Sequence, residues 1–167
     1  SVIQTSDGGY VVVGATVSYD YLGIWLIKTD PNGNMQWSKT YEPYWTAHSI
    51  VQTIEGGYAF AGTDVIKNDA LLVKTDSTGT MQWYKTYGGG KGEAAHSLVQ
   101  TADGGYAFSG GTVSFGAGQH DVWLVKTDVN GNMQWSKTYG GAELDYGESL
   151  VRTSDGGYAI GLSLIHI

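Results

Sequence analysis

An all-β fold made of repeated four-stranded antiparallel sheets is predicted by three observations. A short motif returns at near-constant spacing, the local signals between its copies all favour strands and turns, and nothing of useful length shows a 3.6-residue apolar period. The motif reads Gln4-Thr5-Ser6-Asp7-Gly8-Gly9-Tyr10 in its first copy and ends at Tyr58, Tyr106 and Tyr158 in the next three. The first three copies lie 48 residues apart, and the fourth follows after 52. Between them a second motif recurs: Lys28-Thr29-Asp30 through Trp37 to Tyr41, Lys74-Thr75-Asp76 through Trp83 to Tyr87, and Lys126-Thr127-Asp128 through Trp135 to Tyr139.

Each strand of the unit has its own signal, and the second unit serves as the example. Strand A, near 48–53, precedes the glycine-rich motif. Strand B, near 57–62, is a short aromatic run bounded by glycine (Tyr58-Ala59-Phe60, with Tyr10-Val11-Val12-Val13 in the first unit). Asp-Gly-Gly between A and B marks a tight hairpin, because glycine tolerates positive φ. Strand C, near 69–75, is apolar on both faces, as in Ile24-Trp25-Leu26-Ile27 and Val122-Trp123-Leu124-Val125, which suits a buried middle strand. Asp30-Pro31-Asn32-Gly33 then reads as a type I turn closed by a left-handed glycine, leading into strand D near 81–87. Glu93-Ala94-Ala95-His96-Ser97-Leu98 aligns with Trp45-Thr46-Ala47-His48-Ser49-Ile50 and is read as a loop entering a strand rather than a helix. A four-stranded meander repeating every ~40–50 residues is a β-propeller blade. The expected architecture is one propeller domain over 1–161, an open arc of three complete blades (1–46, 47–94, 95–146) and half of a fourth (147–161).

Composition agrees and removes several functions. Of 167 residues 26 are Gly and 41% are hydrophobic, enough for a packed core. Net charge is −7, with Arg152 the single arginine, so nucleic acid and anionic lipid are disfavoured partners. No apolar run approaches the ~20 residues of a membrane helix, so membrane insertion is not expected. Zero cysteines exclude disulfides, thiolate catalysis and Cys-type zinc sites.

Both ends depart from the repeat. A glycine stands four residues after Tyr10, Tyr58 and Tyr106, but Leu162 stands four after Tyr158. Codons for Leu162-Ser163-Leu164-Ile165-His166-Ile167 can spell the end of a transposase-type sequencing adapter, so 162–167 are expected to be a non-native tail and His166 to carry no function. Ser1 falls inside strand A with neither an initiator methionine nor a signal peptide. An arc open at both ends is expected to self-associate through bare blade edges.

With these residues in view a resemblance can be named. Asp30, Gly33 and Trp37, with Asp76, Gly79, Trp83 and Asp128, Gly131, Trp135, resemble the tryptophan-docking motif of quinoprotein-like propellers. They are also similar to the Asp-box at the same turn of other propellers. The whole repeat resembles propeller repeats of secreted and cell-surface proteins of archaea and bacteria, some attached to polysaccharide-degrading enzymes. The resemblance implies an extracellular or cell-surface location.

Function is sought where the repeats differ. Lys-to-Tyr spacing across C–D is 13 in all three units. The B–C connection instead varies: Gly14 to Lys28 is 14, Gly62 to Lys74 is 12 and Gly110 to Lys126 is 16. D–A varies as well, 8 from Tyr41 to Ser49 but 10 from Tyr87 to Ser97. In a meander, B–C and D–A emerge on the same face, and loops on a rigid scaffold are where binding concentrates. The candidate binding residues there are Tyr19, Asp20, Tyr21, Tyr44, Trp45, Asp64, Phe115, His120, Asp121, Glu143, Asp145 and Tyr146. Aromatic rings beside carboxylates suit a glycan, which stacks on the rings and donates hydroxyl hydrogens; a protein ligand is the other candidate. The plainer reading is that these side chains only seal the blade tops. His48, His96 and Glu148 occupy equivalent positions, which favours one structural role over metal ligation, and no metal site is assigned.

Asp30-Pro31-Asn32-Gly33-Asn34 and Asp128-Val129-Asn130-Gly131-Asn132 resemble the opening of a calcium loop, but Asp76-Ser77-Thr78-Gly79-Thr80 lacks both asparagines. A turn explains all three copies, calcium only two. Lys28, Lys74 and Lys126 keep step with the strands, which favours contacts between blades over three active sites. Glu143 with Asp145 or Asp20 could supply the paired carboxylates of a glycosidase, though no spacing in the sequence sets their distance. No catalytic residue or cofactor is assigned. The expected function is a non-catalytic binding scaffold. A propeller belonging to a carbohydrate-active enzyme and a purely architectural module are the alternatives.

Overall fold

A computed structural model describes residues 1–18 and 21–164. Its strands form four separate antiparallel sheets, each a blade, and the blades follow one another as an open arc. Blade 1 holds β1 (Val2–Gln4), β2 (Tyr10–Ser18), β3 (Tyr21–Thr29) and β4 (Met35–Pro43). Blade 2 holds β5 (Trp45–Gln52), β6 (Tyr58–Asp64), β7 (Asp69–Thr75) and β8 (Met81–Tyr87). Blade 3 holds β9 (Glu93–Gln100), β10 (Tyr106–Thr112), β11 (Asp121–Thr127) and β12 (Met133–Tyr139). The last pair is β13 (Asp145–Arg152) and β14 (Tyr158–Leu164). No helix occurs among the described residues.

Strands C and D of the second unit fall where the sequence puts them, but strand A starts earlier. The run Glu93–Leu98 is strand from its first residue, not a loop entering one. It pairs with β10 from Glu93↔Thr112 onward and absorbs one extra residue at a bulge, which leaves the ladder intact on both sides. Strand β14 reaches Leu164 by pairing Leu162↔Gly147, Ser163↔Tyr146 and Leu164↔Asp145, so the first half of the divergent tail continues the fourth copy's ladder. His166 lies outside the described residues.

Blades pack face to face, and side-chain volume is matched across each interface. Val11, Val13 and Ile24 of blade 1 meet Phe60 and Leu71 of blade 2. One interface further on, those positions become Ala59, Ala61 and Ala70, and they meet Phe108 and Trp123. Shrinking three residues on one face makes room for an indole on the other, as close packing requires. Each such ring contributes roughly 2–3 kcal/mol by burial. At the same position Trp25 of blade 1 is 41% exposed, whereas Trp123, packed against the alanines of blade 2, is 1% exposed.

Directional contacts hold the stack in register. Trp37 of strand D lies on Tyr58 of the next blade (ring centroids 5.9 Å), Trp83 on Tyr106 (5.9 Å) and Trp135 on Tyr158 (6.1 Å). The hydroxyl of Tyr41 donates to the Gly79 carbonyl at 2.6 Å. Gly79 has φ +77°, and a Cβ there would stand 2.7 Å from the Trp37 ring, so both the turn and the approaching indole require glycine. On the inner edge, Ser49 Oγ accepts from the Leu98 amide and Ser97 Oγ from the Leu150 amide, each at 3.0 Å.

The lysines act within blades, which corrects the interblade reading. Lys28 Nζ reaches Asp7 of its own A–B turn at 2.9 Å and donates to the Thr29 carbonyl at 2.7 Å. Lys126 repeats this with Asp103 (2.9 Å) and Thr127 (2.8 Å). Antiparallel pairing brings the A–B and C–D turns to the same end of one sheet, so a lysine near the end of strand C meets its own blade's aspartate first.

Candidate functional site

The B–C and D–A connections meet at one end of the arc, held by hydrogen bonds between their backbones. Glu93 N–H donates to the Asn68 carbonyl and Asp145 N–H to the His120 carbonyl, both at 2.9 Å. His120 and Leu144 form a short parallel bridge. Two non-glycine residues with positive φ, Tyr44 (69°) and Asn68 (54°), sit in these connections, a conformation that persists only where its surroundings enforce it.

Buried carboxylates fix the loops. Glu93 accepts from the Gly89 amide (3.0 Å), the Ser114 amide (3.0 Å) and the Thr112 hydroxyl (3.2 Å). Burial pushes its carboxyl up, but the bonds from Ser114, Gly89 and Thr112 prevail and hold it below its ordinary value. One side chain thus ties the D–A loop ahead of it to the B–C loop of its own blade. Asp64 and Thr112, at equivalent positions, cap the B–C loops: Asp64 Oδ1 accepts from the Ile66 and Lys67 amides at 3.1 Å. Thr112 Oγ1 accepts from the Ser114 and Phe115 amides at 3.1 and 3.2 Å.

The candidate residues therefore separate into frame and surface. Trp45, Asp64, Asp121 and Asp145 are buried. Trp45 packs on Tyr84 with ring centroids 4.7 Å apart. Asp121 and Asp145 converge on Gly140, each with an oxygen 2.5 Å from where a Cβ would stand; the Asp69–Glu93 pair encloses Gly88 in the same way. Asp121 Oδ2 accepts from the Gly118 amide (3.1 Å) and Asp145 Oδ2 from the Gly141 amide (2.8 Å). Among the described residues Asp145 Oδ1 is buried without a hydrogen-bond partner; the counterpart of Ser114, which serves Glu93, is residue 166, outside the described residues. Phe115 (45%) and Glu143 are exposed, and His120 stacks near Tyr146 at 4.9 Å. Tyr19 and Asp20 lie outside the described residues, and of Tyr21 only the backbone, opening β3, is described.

Sequence reasoning missed an apolar component of this face. Val17 at the end of β2 and Val65 and Ile66 in the second B–C connection are exposed, Ile66 at 67%. The available signal was position alone: each stands three or four residues past the B-strand glycine of its unit (Gly14 or Gly62). The Tyr-Gly pairs 87–88 and 139–140 were the signal for the two carboxylate clasps.

On the inner edge, bulges single out His48, His96 and Glu148, the residue skipped by the ladder in β5, β9 and β13. The rings of His48 and His96 stand 5.7 Å apart, edge to face. Burial, and then the neighbouring His96, push the His48 pKa down. Among the described residues no group of three His, Asp or Glu side chains closes around a metal position.

At the opposite end, the Asp30, Asp76 and Asp128 carboxylates are occupied by their own turns. Asp30 accepts from the Asn32 and Asn34 amides at 2.9 Å and from the Asn34 side chain at 2.8 Å, and Asp128 repeats the set. Asp76 accepts from Thr78 and Thr80 instead. These donors hold all three carboxyls below their ordinary value, the Asn34, Thr78 and Asn132 side chains most strongly. Asn34 and Asn132 each close the turn with a side-chain N–H donated to the carboxylate, in addition to their backbone N–H.

No protein-family model matches the chain, and no curated protein matches it. Among solved structures, the fold is similar to the crystal structure of a protein of unknown function from Bacteroides caccae, with a TM-score of 0.59 and 14% identity. The match covers 90% of this chain and 48% of the other, so the chain spans about half that protein's length.

Proposed function

We propose that the chain is a non-catalytic recognition scaffold of a secreted or cell-surface protein, binding a glycan or protein ligand on the face of the B–C and D–A connections. One observation carries this reading: connections of different length from successive blades reach the same face, buried carboxylates fix them in blades 2 and 3, and Val17, Ile66, Phe115 and Glu143 are exposed on them. A rigid base under varied apolar and acidic side chains is how binding loops are built on a repeat scaffold. The indoles of Trp37 and Trp83, each seated on the next blade's turn glycine (Gly79 and Gly131), support kinship with tryptophan-docking propellers.

A glycan array probed with the full chain tests this reading. Specific binding that falls at least tenfold in Phe115→Ala, with no sugar released, supports it. Release of reducing sugar abolished by Glu143→Gln would place the chain with carbohydrate-active enzymes. Silence in both assays, and in a matching protein-binding screen, would leave an architectural module.

A further inference from the structure

We propose that Arg152 and the backbone amide of Ala102 form a carboxylate-binding site between the A–B turns of blades 3 and 4. It lies at the end of the arc opposite the candidate binding face and stands independently of that reading. A single departure from the repeat creates it. Three copies of the glycine-rich motif open on glutamine (Gln4, Gln52 and Gln100), and the fourth opens on Arg152.

Glutamine at this position bridges two blades. Gln52 Oε1 accepts from the Ser6 amide of blade 1 at 2.9 Å, and Gln100 Oε1 from the Ile54 amide of blade 2 at 2.8 Å. Each amide is the third of its turn motif, and no backbone carbonyl serves it. The glutamines' own N–H groups go to the Ser6 hydroxyl and to the Gly104 carbonyl, both at 3.3 Å. All these bonds stay within strand A and the A–B turns. Strands C and D of a blade take no part in the bridge.

The counterpart amide in blade 3 is that of Ala102, and arginine cannot serve it. A guanidinium carries N–H donors and no acceptor. Arg152 instead donates from Nη1 to the Gln100 carbonyl at 3.3 Å. The Ala102 amide donates to no acceptor among the described residues. Both groups line one cleft of about 370 Å³, together with Asp103 and Lys126.

Charge and hydrogen-bond polarity define the ligand. Lys126 pairs with Asp103 at 2.9 Å, whereas Arg152 has no ion pair among the described residues. One positive charge is therefore left over beside a free N–H. The matching group accepts at two oxygens, one for the amide and one for the guanidinium. A carboxylate does so, with charge-assisted bonds to arginine, and has the planar shape of the carboxamide it replaces. A phosphate dianion would set a second negative charge against Asp103.

The test follows backbone and arginine N–H signals of the ¹⁵N-labelled full chain by NMR while acetate is added at constant ionic strength. A saturable shift of the Ala102 amide is expected, with Arg152 Nε–H moving in step. Arg152→Gln restores the residue of the other copies. It is expected to close the bridge, slow exchange at the Ala102 amide and weaken acetate binding tenfold or more. Arg152→Lys keeps the charge but loses the planar fork, and is expected to weaken binding severalfold. Glucuronate and N-acetyl-aspartate are expected to shift Ala102 as acetate does, and the tighter of the two tells a sugar acid from a protein side chain. The proposal is overturned if chloride shifts Ala102 as acetate does, or if Arg152→Gln keeps the response. Shifts spread over the exposed Lys39, Lys85 and Lys137 without singling out Ala102 would overturn it as well.

Discussion

The hydroxyl of Tyr87 donates to the backbone carbonyl of Gly131 across 2.7 Å, joining the outer edge of one blade to the turn of the next. Tyr41 makes the same bond to Gly79 at 2.6 Å. These are side chain to backbone bonds at fixed repeat positions, so their strength can be measured one interface at a time. Tyr87→Phe keeps the ring and removes only the donor. It is expected to cost about 1 kcal/mol in urea unfolding, whereas Tyr139→Phe, which loses no bond, is expected to leave the midpoint unchanged.

The turn glycines separate backbone from packing effects. Gly33 and Gly131 share a left-handed conformation (φ 84° and 75°), but only Gly131 has an indole over it. Gly33→Ala is expected to cost about 1–2 kcal/mol for the conformation alone. Gly131→Ala carries that cost plus displacement of Trp83, and is expected to exceed it by at least about 1 kcal/mol. Equal losses in chemical denaturation would mean that the indole does not set the glycine requirement.

Loop order on the candidate binding face is expected to depend on Glu93. Glu93→Ala removes a buried carboxylate and with it the acceptor of the Gly89 and Ser114 amides, which is expected to cost about 1–3 kcal/mol as the loss of hydrogen bonds to a charged group. Hydrogen exchange is expected to speed up at both amides while those of β6 and β7 hold. Exchange that rises uniformly would show the effect to be global rather than local to the two loops.

Acid is expected to loosen blades 1 and 3 through their lysine clamps. Asp103 is held well below the ordinary carboxylate range by the Thr101 hydroxyl first and by Lys126 next; Asp7 is held by Thr5 and Lys28 in the same way. Because the folded value is the lower one, this contribution is complete above about pH 4 and is lost as pH falls through the folded value. Asp103→Asn is expected to lower stability at pH 7 and to flatten the acid side of a plot of urea midpoint against pH. An unchanged acid slope would sink this account.

The repeat made the frame legible because each structural element advertises itself in several copies. Asp-x-x-Gly turns, the strand D tryptophans and the apolar C strands all lie where spacing puts them. Distance between side chains was not legible. Asp64 and Asp121 sit next to variable loops in sequence and read as ligand contacts, yet each turns inward to cap amides of its own blade's B–C loop. The lysines read as interblade contacts because periodicity alone does not say which neighbour, in the chain or in space, a side chain reaches. Ile66 was invisible for a further reason: an exposed apolar residue carries no signal until burial is known.

The seating of Trp37 and Tyr41 has an evolutionary consequence. Each joins a position in one unit to the same position in the next, and the volume match across an interface is the only part that is specific to a pair. Deleting residues 47–94 in frame would bring Trp37 against Tyr106 and Tyr41 against Gly131, contacts of the same kind as before. Only Val11, Val13 and Ile24 would then collide with Trp123, where alanines stood. An array of this kind can therefore lengthen or shorten by whole units, with the volume match between Ala59, Ala61, Ala70 and Trp123 as the part that must be rebuilt at each new junction.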